Sequence, residues 1–405
     1  TRCAIVTGVQ TCALPISLVQ KLNMEKMKSM GLELSAEDIY SVNNSSLKDA
    51  VVALDYGSCT AELISGKGLL LTNHHCGYGE IQEHSSVKHD YLKDGFWAQS
   101  FSDELPNPGK TATFLVSMKE VTGDVLAGVS NDMPQMVFQT KVGQTIKKLE
   151  QEYADPDKHI EARVASMFNG NRFFLFLTKT YRDVRLVGAP PSSIGKFGGD
   201  TDNWMWPRHT GDFSLFRIYA GPDGQPAPYS EDNIPLETEK FLPISLKGIE
   251  KGDFAMVLGF PGSTDRYMSS WGVQQTMDIT NTIRIEARTK KQEIMKDAMR
   301  SSDKIRIQYA SKYSRSANYW KYSIGQNKQL KALGVVEEKQ ALEAKLSNWI
   351  SAKPQREEQY GQALSLLEES YHALEEYEVL YSYFIETVYT GAEIYRLGMR
   401  SNKLL

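Results

Sequence analysis

Gly57-Ser58-Cys59-Thr60-Ala61-Glu62-Leu63-Ile64-Ser65-Gly66-Lys67-Gly68-Leu69-Leu70-Leu71-Thr72-Asn73-His74-His75-Cys76 reads as two short strands joined by a glycine-flanked turn, the second ending on two histidines and a cysteine. Residues 61–64 and 68–72 have the length and apolar content of strands, and Ser65-Gly66-Lys67 supplies turn chemistry between them. A strand that stops on an imidazole beside a half-cystine, with an earlier cysteine on the neighbouring strand, delivers that imidazole to the rim of a sheet. His75 is therefore the first candidate for a catalytic base.

Residues 6–16, Val-Thr-Gly-Val-Gln-Thr-Cys-Ala-Leu-Pro-Ile, read differently from everything after them. They resemble the translation of a sequencing-library adapter fused to a gene truncated at a contig end, so residues 1–16 are set aside as an adapter-derived artefact. A short leader is the other reading, but the stretch lacks a basic run followed by a long apolar core. Two of the four cysteines fall in this segment, leaving Cys59 and Cys76. An even pair at hairpin spacing argues for a disulfide and hence an oxidising compartment, although two reduced structural thiols have the same sequence signature.

With 405 residues and 41% hydrophobic content, the chain is long enough for two domains with sizeable cores. A formal charge of -4 gives no basic face for nucleic acid, and no segment approaches a membrane span. Fourteen of the fifteen prolines lie at or before Pro261, which marks a change of architecture. Before it, residues 50–54, 61–64, 68–72, 111–118, 172–178, 213–220 and 254–259 read as strands, with helices expected over 135–153 and 158–168. After about Met277 the spacing of Leu367, Tyr371, Leu374 and Tyr381 predicts amphipathic helix. The fold expected is α+β: a closed β-barrel with inserted helices over 17–276, then part of a helical domain over 277–405.

A second chemical segment runs from Gly198 to Ile218 and holds three aspartates. In chymotrypsin-like enzymes the carboxylate that orients the histidine sits where a loop enters a strand, immediately before an apolar run. Asp212 occupies such a place, and from there it could accept the Nδ1 proton of His75 and stabilise the imidazolium. Asp200 and Asp202 lie in a glycine-rich loop and read as turn residues. A zinc set drawn from His74, Cys76, His84 and His89 is the competing reading of the histidines, but the spacings lack the paired pattern of structural zinc. No metal and no cofactor is expected. No Gly-Asp-Ser-Gly or Gly-Asn-Ser-Gly element occurs, and Ser58 and Ser263 follow glycines without the next glycine that shapes an oxyanion hole.

Four stretches carry a family resemblance: Leu34-Ser35-Ala36-Glu37-Asp38-Ile39-Tyr40, Thr72-Asn73-His74-His75-Cys76-Gly77-Tyr78-Gly79, residues 89–98, and Asp202-Asn203-Trp204-Met205-Trp206-Pro207-Arg208-His209. From Ser17 onward the chain resembles the bacterial periplasmic serine dipeptidyl-peptidases of types seven and eleven, in the chymotrypsin clan. The resemblance implies a chymotrypsin-like N-terminal β-barrel, release of dipeptides from free peptide N-termini, His75 as general base and acid, and Asp212 as its orienter. It also implies that Asn203, Trp204 and Asn318 hold the substrate's ammonium, and that a helical domain beginning near Met277 caps the cleft. A periplasmic location and a homodimer of the full-length protein follow from it too. The second barrel and its serine would then lie beyond Leu405, so the chain is expected to be an inactive N-terminal fragment.

A trypsin-like endopeptidase would share His75 and Asp212, but has no place for the proline-poor helical region. A non-catalytic peptide-binding protein would explain the absent serine. Residues 259–262, Gly-Phe-Pro-Gly, read as the closing strand and turn of the barrel.

Overall fold

Strand-forming stretches between residues 51 and 235 pair into one eleven-stranded antiparallel sheet in the structure, a computed structural model that describes residues 4–6, 14–19, 23–130, 132–168, 170–262, 265 and 267–401. The strands are β1 (Val51–Leu54), β2 (Cys59–Leu63), β3 (Leu69–Thr72), β4 (Phe96–Trp97), β5 (Leu105–Pro106), β6 (Ala112–Glu120), β7 (Glu161–Met167), β8 (Arg172–Tyr181), β9 (Asp183–Ala189), β10 (Ser214–Ala220) and β11 (Ile234–Pro235). Their order is β4-β9-β10-β3-β2-β1-β6-β8-β7, with β11 paired to β10 and β5 to β9.

The sheet is open, which corrects the closed chymotrypsin-like β-barrel expected from the sequence. Its path ends on β7 at one side and on the two-residue β4 at the other. β8 runs into β9 through Arg182 alone, yet the two share no ladder. Closure needs hydrogen bonds between the end strands, and a covalent bend in one strand does not supply them. The edge of β7 is instead met by helix α1 (Gln135–Tyr153): Val164 N donates to Glu150 Oε1 at 2.9 Å. Leu149 of α1 packs with Val121, Val125, Val164, Phe173 and Leu175.

Two further local expectations change. Residues 158–168, expected as helix, hold β7, because Glu161–Met167 pairs antiparallel with β8 and buries Val164, Ala165 and Met167. Tertiary pairing overrides the helix formers in that stretch. Residues 259–262 close no barrel: Val257–Gly259 lies outside the large sheet and pairs in parallel with Ala4–Val6. A second core cluster gathers Ile16, Met27, Ile39, Leu115, Met118, Phe174 and Phe176 on the sheet. Of the segment set aside in the sequence, residues 1–3 and 7–13 lie outside the described residues, while Ile16 is fully buried in this cluster.

The sheet belongs to one of two units, made of residues 1–84, 93–195 and 211–266. The other unit gathers residues 85–92, 196–210 and 267–405. It is helical: α2 (Ser270–Gln275), α3 (Asn281–Ser301), α4 (Asp303–Ala332), α5 (Val335–Ser351), α6 (Pro354–Tyr360), α7 (Ala363–Tyr383) and α8 (Glu393–Ser401). Arg284 and Arg288 lie one turn apart on α3 and converge on Glu386, in the π-helical segment Phe384–Tyr389. Arg288 meets both carboxylate oxygens, at 2.8 and 3.0 Å. Among the described residues no helix is long and apolar enough to cross a membrane.

Candidate active site

The register of β10 against β3 decides which side chains meet. Ser214 pairs with Thr72 and Leu215 with Leu71, so continuing the antiparallel ladder carries Asp212 alongside the turn that follows β3. That turn, His74–Cys76, is anchored through Cys76 by a disulfide to Cys59 at the start of β2. The bridge is present in the structure, which resolves the choice the sequence left open between a disulfide and two thiols.

His75 and Asp212, 137 positions apart in sequence, are in contact: Nδ1 lies 2.7 Å from Asp212 Oδ2. The backbone N of His75 donates to Oδ1 at 3.0 Å, so the carboxylate grips both the ring and the main chain of one residue. Asn73 Nδ2 donates to the backbone O of Asp212 at 3.1 Å and to Oδ2 at 3.3 Å. Ser214 Oγ closes the ring of contacts by donating to Asn73 O at 2.8 Å. A carboxylate at Nδ1 holds the ring proton there and leaves the Nε2 lone pair free. The imidazole is 68% exposed whereas the Asp212 side chain is 21% exposed, so the base faces solvent while its orienter is sheltered.

Burial pushes the Asp212 carboxyl up, but the hydrogen bond and charge of His75 outweigh it and hold the group below its ordinary 3.8. A carboxyl depressed in the folded state stabilises the fold above its unfolded pKa and loses that contribution as pH falls through the folded value. Lowering the pH from about 6 to about 3 should therefore destabilise the protein more than it destabilises Asp212→Asn. Urea unfolding of both across that range checks this; equal slopes would contradict it.

His74 is the buried neighbour, 1% exposed, and packs edge-on to Tyr78. A Cβ at Gly195 would sit 2.4 Å from its ring, so only glycine leaves room for this histidine beneath the turn. His74 thereby turns its neighbour outward. Asn73 and Ser214 were missed in the sequence. The signal was there: each stands two residues from a member of the pair, in Asn73-His74-His75 and Asp212-Phe213-Ser214.

The other serines do not join this site as nucleophiles among the described residues. Ser58 donates its hydroxyl to Leu54 O at 3.3 Å, in the turn between β1 and β2, and Ser263 lies outside the described residues. The histidines do not form the zinc set read from sequence either: the group brought together is Cys59, His75 and Cys76, with ligand atoms within 4.8 Å of one another. His84 Nε2 instead lies 3.1 Å from Asn107 Oδ1.

Asn203, Trp204 and Asn318 meet one another in the helical unit. Asn203 Nδ2 donates to Asn318 Oδ1 at 2.8 Å, and Trp204 Nε1 donates to the backbone O of Asn318 at 3.1 Å. Arg208 Nη1 donates to Asn203 Oδ1 at 3.3 Å, and the Trp204 ring packs 5.1 Å from Tyr322. Asp200 lies in the short helix Gly199–Asp202, where its carboxylate meets Lys196 at 3.0 Å and its backbone O accepts from Lys321 at 2.7 Å.

Comparison with known proteins places the chain among peptidase relatives. The profile of the family described as Peptidase S46 matches residues 16–404. An Asp/Glu-specific dipeptidyl-peptidase of Flavobacterium psychrophilum is 46% identical over 388 residues, covering 96% of this chain and 54% of that protein. Dipeptidyl-peptidase 7 of Phocaeicola vulgatus is 52% identical over 344 residues, covering 84% of this chain and 47% of its own length. The crystal structure of Porphyromonas endodontalis DPP11 with the dipeptide Arg-Asp superposes with a TM-score of 0.85 at 39% identity, over 93% of this chain and 54% of that one. The chain thus spans about half the length of the relatives it matches.

Proposed function

The chain belongs to the Peptidase S46 family, and on that premise we propose that it supplies the base, its orienting carboxylate and the N-terminus anchor of a serine dipeptidyl-peptidase. The observation that carries this is the 2.7 Å contact between His75 Nδ1 and Asp212 Oδ2, with Nε2 left to solvent. In the reaction Nε2 takes the proton of a serine hydroxyl as that oxygen attacks the peptide carbonyl, then returns it to the leaving amine. Asp212 keeps the ring in the tautomer that can do this and stabilises the cation formed. The serine itself comes from sequence outside these 405 residues. Two facts support that part: no Gly-Asp-Ser-Gly or Gly-Asn-Ser-Gly element is present, and the relatives are about twice as long.

Dipeptide release requires the enzyme to recognise a free ammonium, whose desolvation must be offset by acceptors held at a fixed place. The Asn203 and Asn318 side chains provide amide oxygens, each with a second lone pair beyond the bond it already accepts. Trp204 fixes the Asn318 main chain through its indole N–H. The Cys59–Cys76 disulfide supports an oxidising compartment, and a periplasmic location is part of the same proposal.

The test has two arms. The 405-residue chain should turn over no dipeptidyl reporter substrate, and turnover that disappears in His75→Ala would overturn the assignment of the serine. In a chimaera where residues 17–405 replace the matching stretch of the Flavobacterium psychrophilum relative, peptides with a free N-terminus should lose dipeptides while N-acetylated ones should not. Equal cleavage of both would favour an endopeptidase.

A further inference from the structure

The turn that carries His75 also carries one half of a disulfide, and these groups sit closer together than general base catalysis requires. The sulfurs of Cys59 and Cys76 and an imidazole nitrogen of His75 lie within 4.8 Å of one another. Ligands of one tetrahedral zinc ion, with bonds of about 2.3 Å to sulfur and 2.0 Å to nitrogen, stand about 3.5–3.8 Å apart. While the two cysteines are bonded to each other neither sulfur is a thiolate, and the site has no soft donors to offer.

We propose that reducing the Cys59–Cys76 disulfide creates a binding site for a borderline-soft divalent cation, zinc above all, with Cys59 Sγ, Cys76 Sγ and His75 Nε2 as protein ligands and solvent in the fourth position. Three features of the fold favour it. Cys59 begins β2, and Cys76 and His75 share the turn after β3, so the sheet holds the three side chains together whether or not the sulfurs are joined. Asp212 on Nδ1 directs the Nε2 lone pair away from itself, giving the carboxylate–histidine–metal arrangement that fixes a ligating imidazole. The ring is 68% exposed, which provides an entry path and room for the solvent ligand. Two thiolates select zinc over calcium and magnesium, which prefer oxygen.

The chemistry balances in two steps. A dithiol reductant gives two electrons and two protons to the disulfide, becoming a disulfide itself and leaving two cysteine thiols. Both thiols then lose their protons to solvent as the cation binds, so uptake releases two protons per ion and weakens as pH falls. An ion on Nε2 occupies the lone pair that would take the serine proton, so the loaded site cannot act as the base. That consequence rests on the role proposed for His75, whereas metal binding does not.

Cobalt(II) is the probe, because thiolate ligation gives a charge-transfer band and four-coordination gives intense d–d bands. The 405-residue chain is reduced with a water-soluble phosphine, which takes oxygen from water to become its oxide while the disulfide becomes two thiols. The reduced chain is then titrated with cobalt. One equivalent should bind with both spectral signatures and be displaced by one equivalent of zinc; the oxidised chain should show neither. Asp212→Asn should weaken binding by about 10–100-fold, His75→Ala by more, and Cys59→Ser with Cys76→Ser should abolish it. His75→Gln carries the histidine comparison if His75→Ala melts early. No uptake by the reduced chain, uptake unchanged by loss of His75, or uptake only with collapse of the near-ultraviolet circular dichroism would each overturn the proposal.

Discussion

Replacing His75 with alanine is expected to lower kcat of the chimaeric peptidase by about four to six orders of magnitude, with KM nearly unchanged. The ring is largely exposed and makes its polar side-chain contact with Asp212, so its loss removes proton transfer and leaves the fold in place. Asp212→Asn should cost about 10⁴-fold, because an amide no longer holds the Nδ1 proton and the ring can present the wrong tautomer. The double variant should be hardly worse than His75→Ala alone, since residues acting as one unit are not additive. A loss below tenfold for His75→Ala, with the melting temperature intact, would remove this residue from the mechanism.

The second large effect is structural. Glu386 is 5% exposed and Arg288 8% exposed, and Arg284 leans on the same carboxylate at 3.2 Å. Glu386→Ala leaves the Arg288 guanidinium buried with backbone carbonyl oxygens but no carboxylate to meet it, and breaking such a pair costs about 3–5 kcal/mol. Replacing Arg284, Arg288 and Glu386 together with apolar residues of similar volume should recover most of that loss, because these three charges no longer have to be desolvated. Urea unfolding of the 405-residue chain, with hydrogen exchange along α3, measures both. A cost below about 1 kcal/mol for Glu386→Ala would show that solvent reaches the arginines.

The sequence disclosed local elements better than their long-range arrangement. Helix α1 was legible to its ends, and β1, β3 and β10 stood out as apolar runs between turn residues. Strand β9 was not, because Asp183 and Arg185 interrupt the apolar pattern. Both are buried and bond each other at 2.8 Å, and Asn233 Nδ2 donates to Asp183 Oδ2 at 2.9 Å, a partner fifty positions away that no local window can see. Strand β7 was hidden for the opposite reason, since Ala, Arg, Ser and Met in it suit a helix equally well. The barrel failed because closure depends on what the end strands pair with, and no pattern within either strand encodes that. His75 and Asp212 could be singled out because strand ends carry them, and one ladder register brings those ends together. The contributions of Asn73 and Ser214 needed side-chain geometry.

Glu150 has a second role through its bond to the main chain of Val164. An unoccupied row of donors on a border strand is a template on which another polypeptide can crystallise its own backbone, and a carboxylate lent from a neighbouring helix blunts that invitation. Self-association seeded at this border, rather than loss of the core, is the vulnerability that this single glutamate guards against.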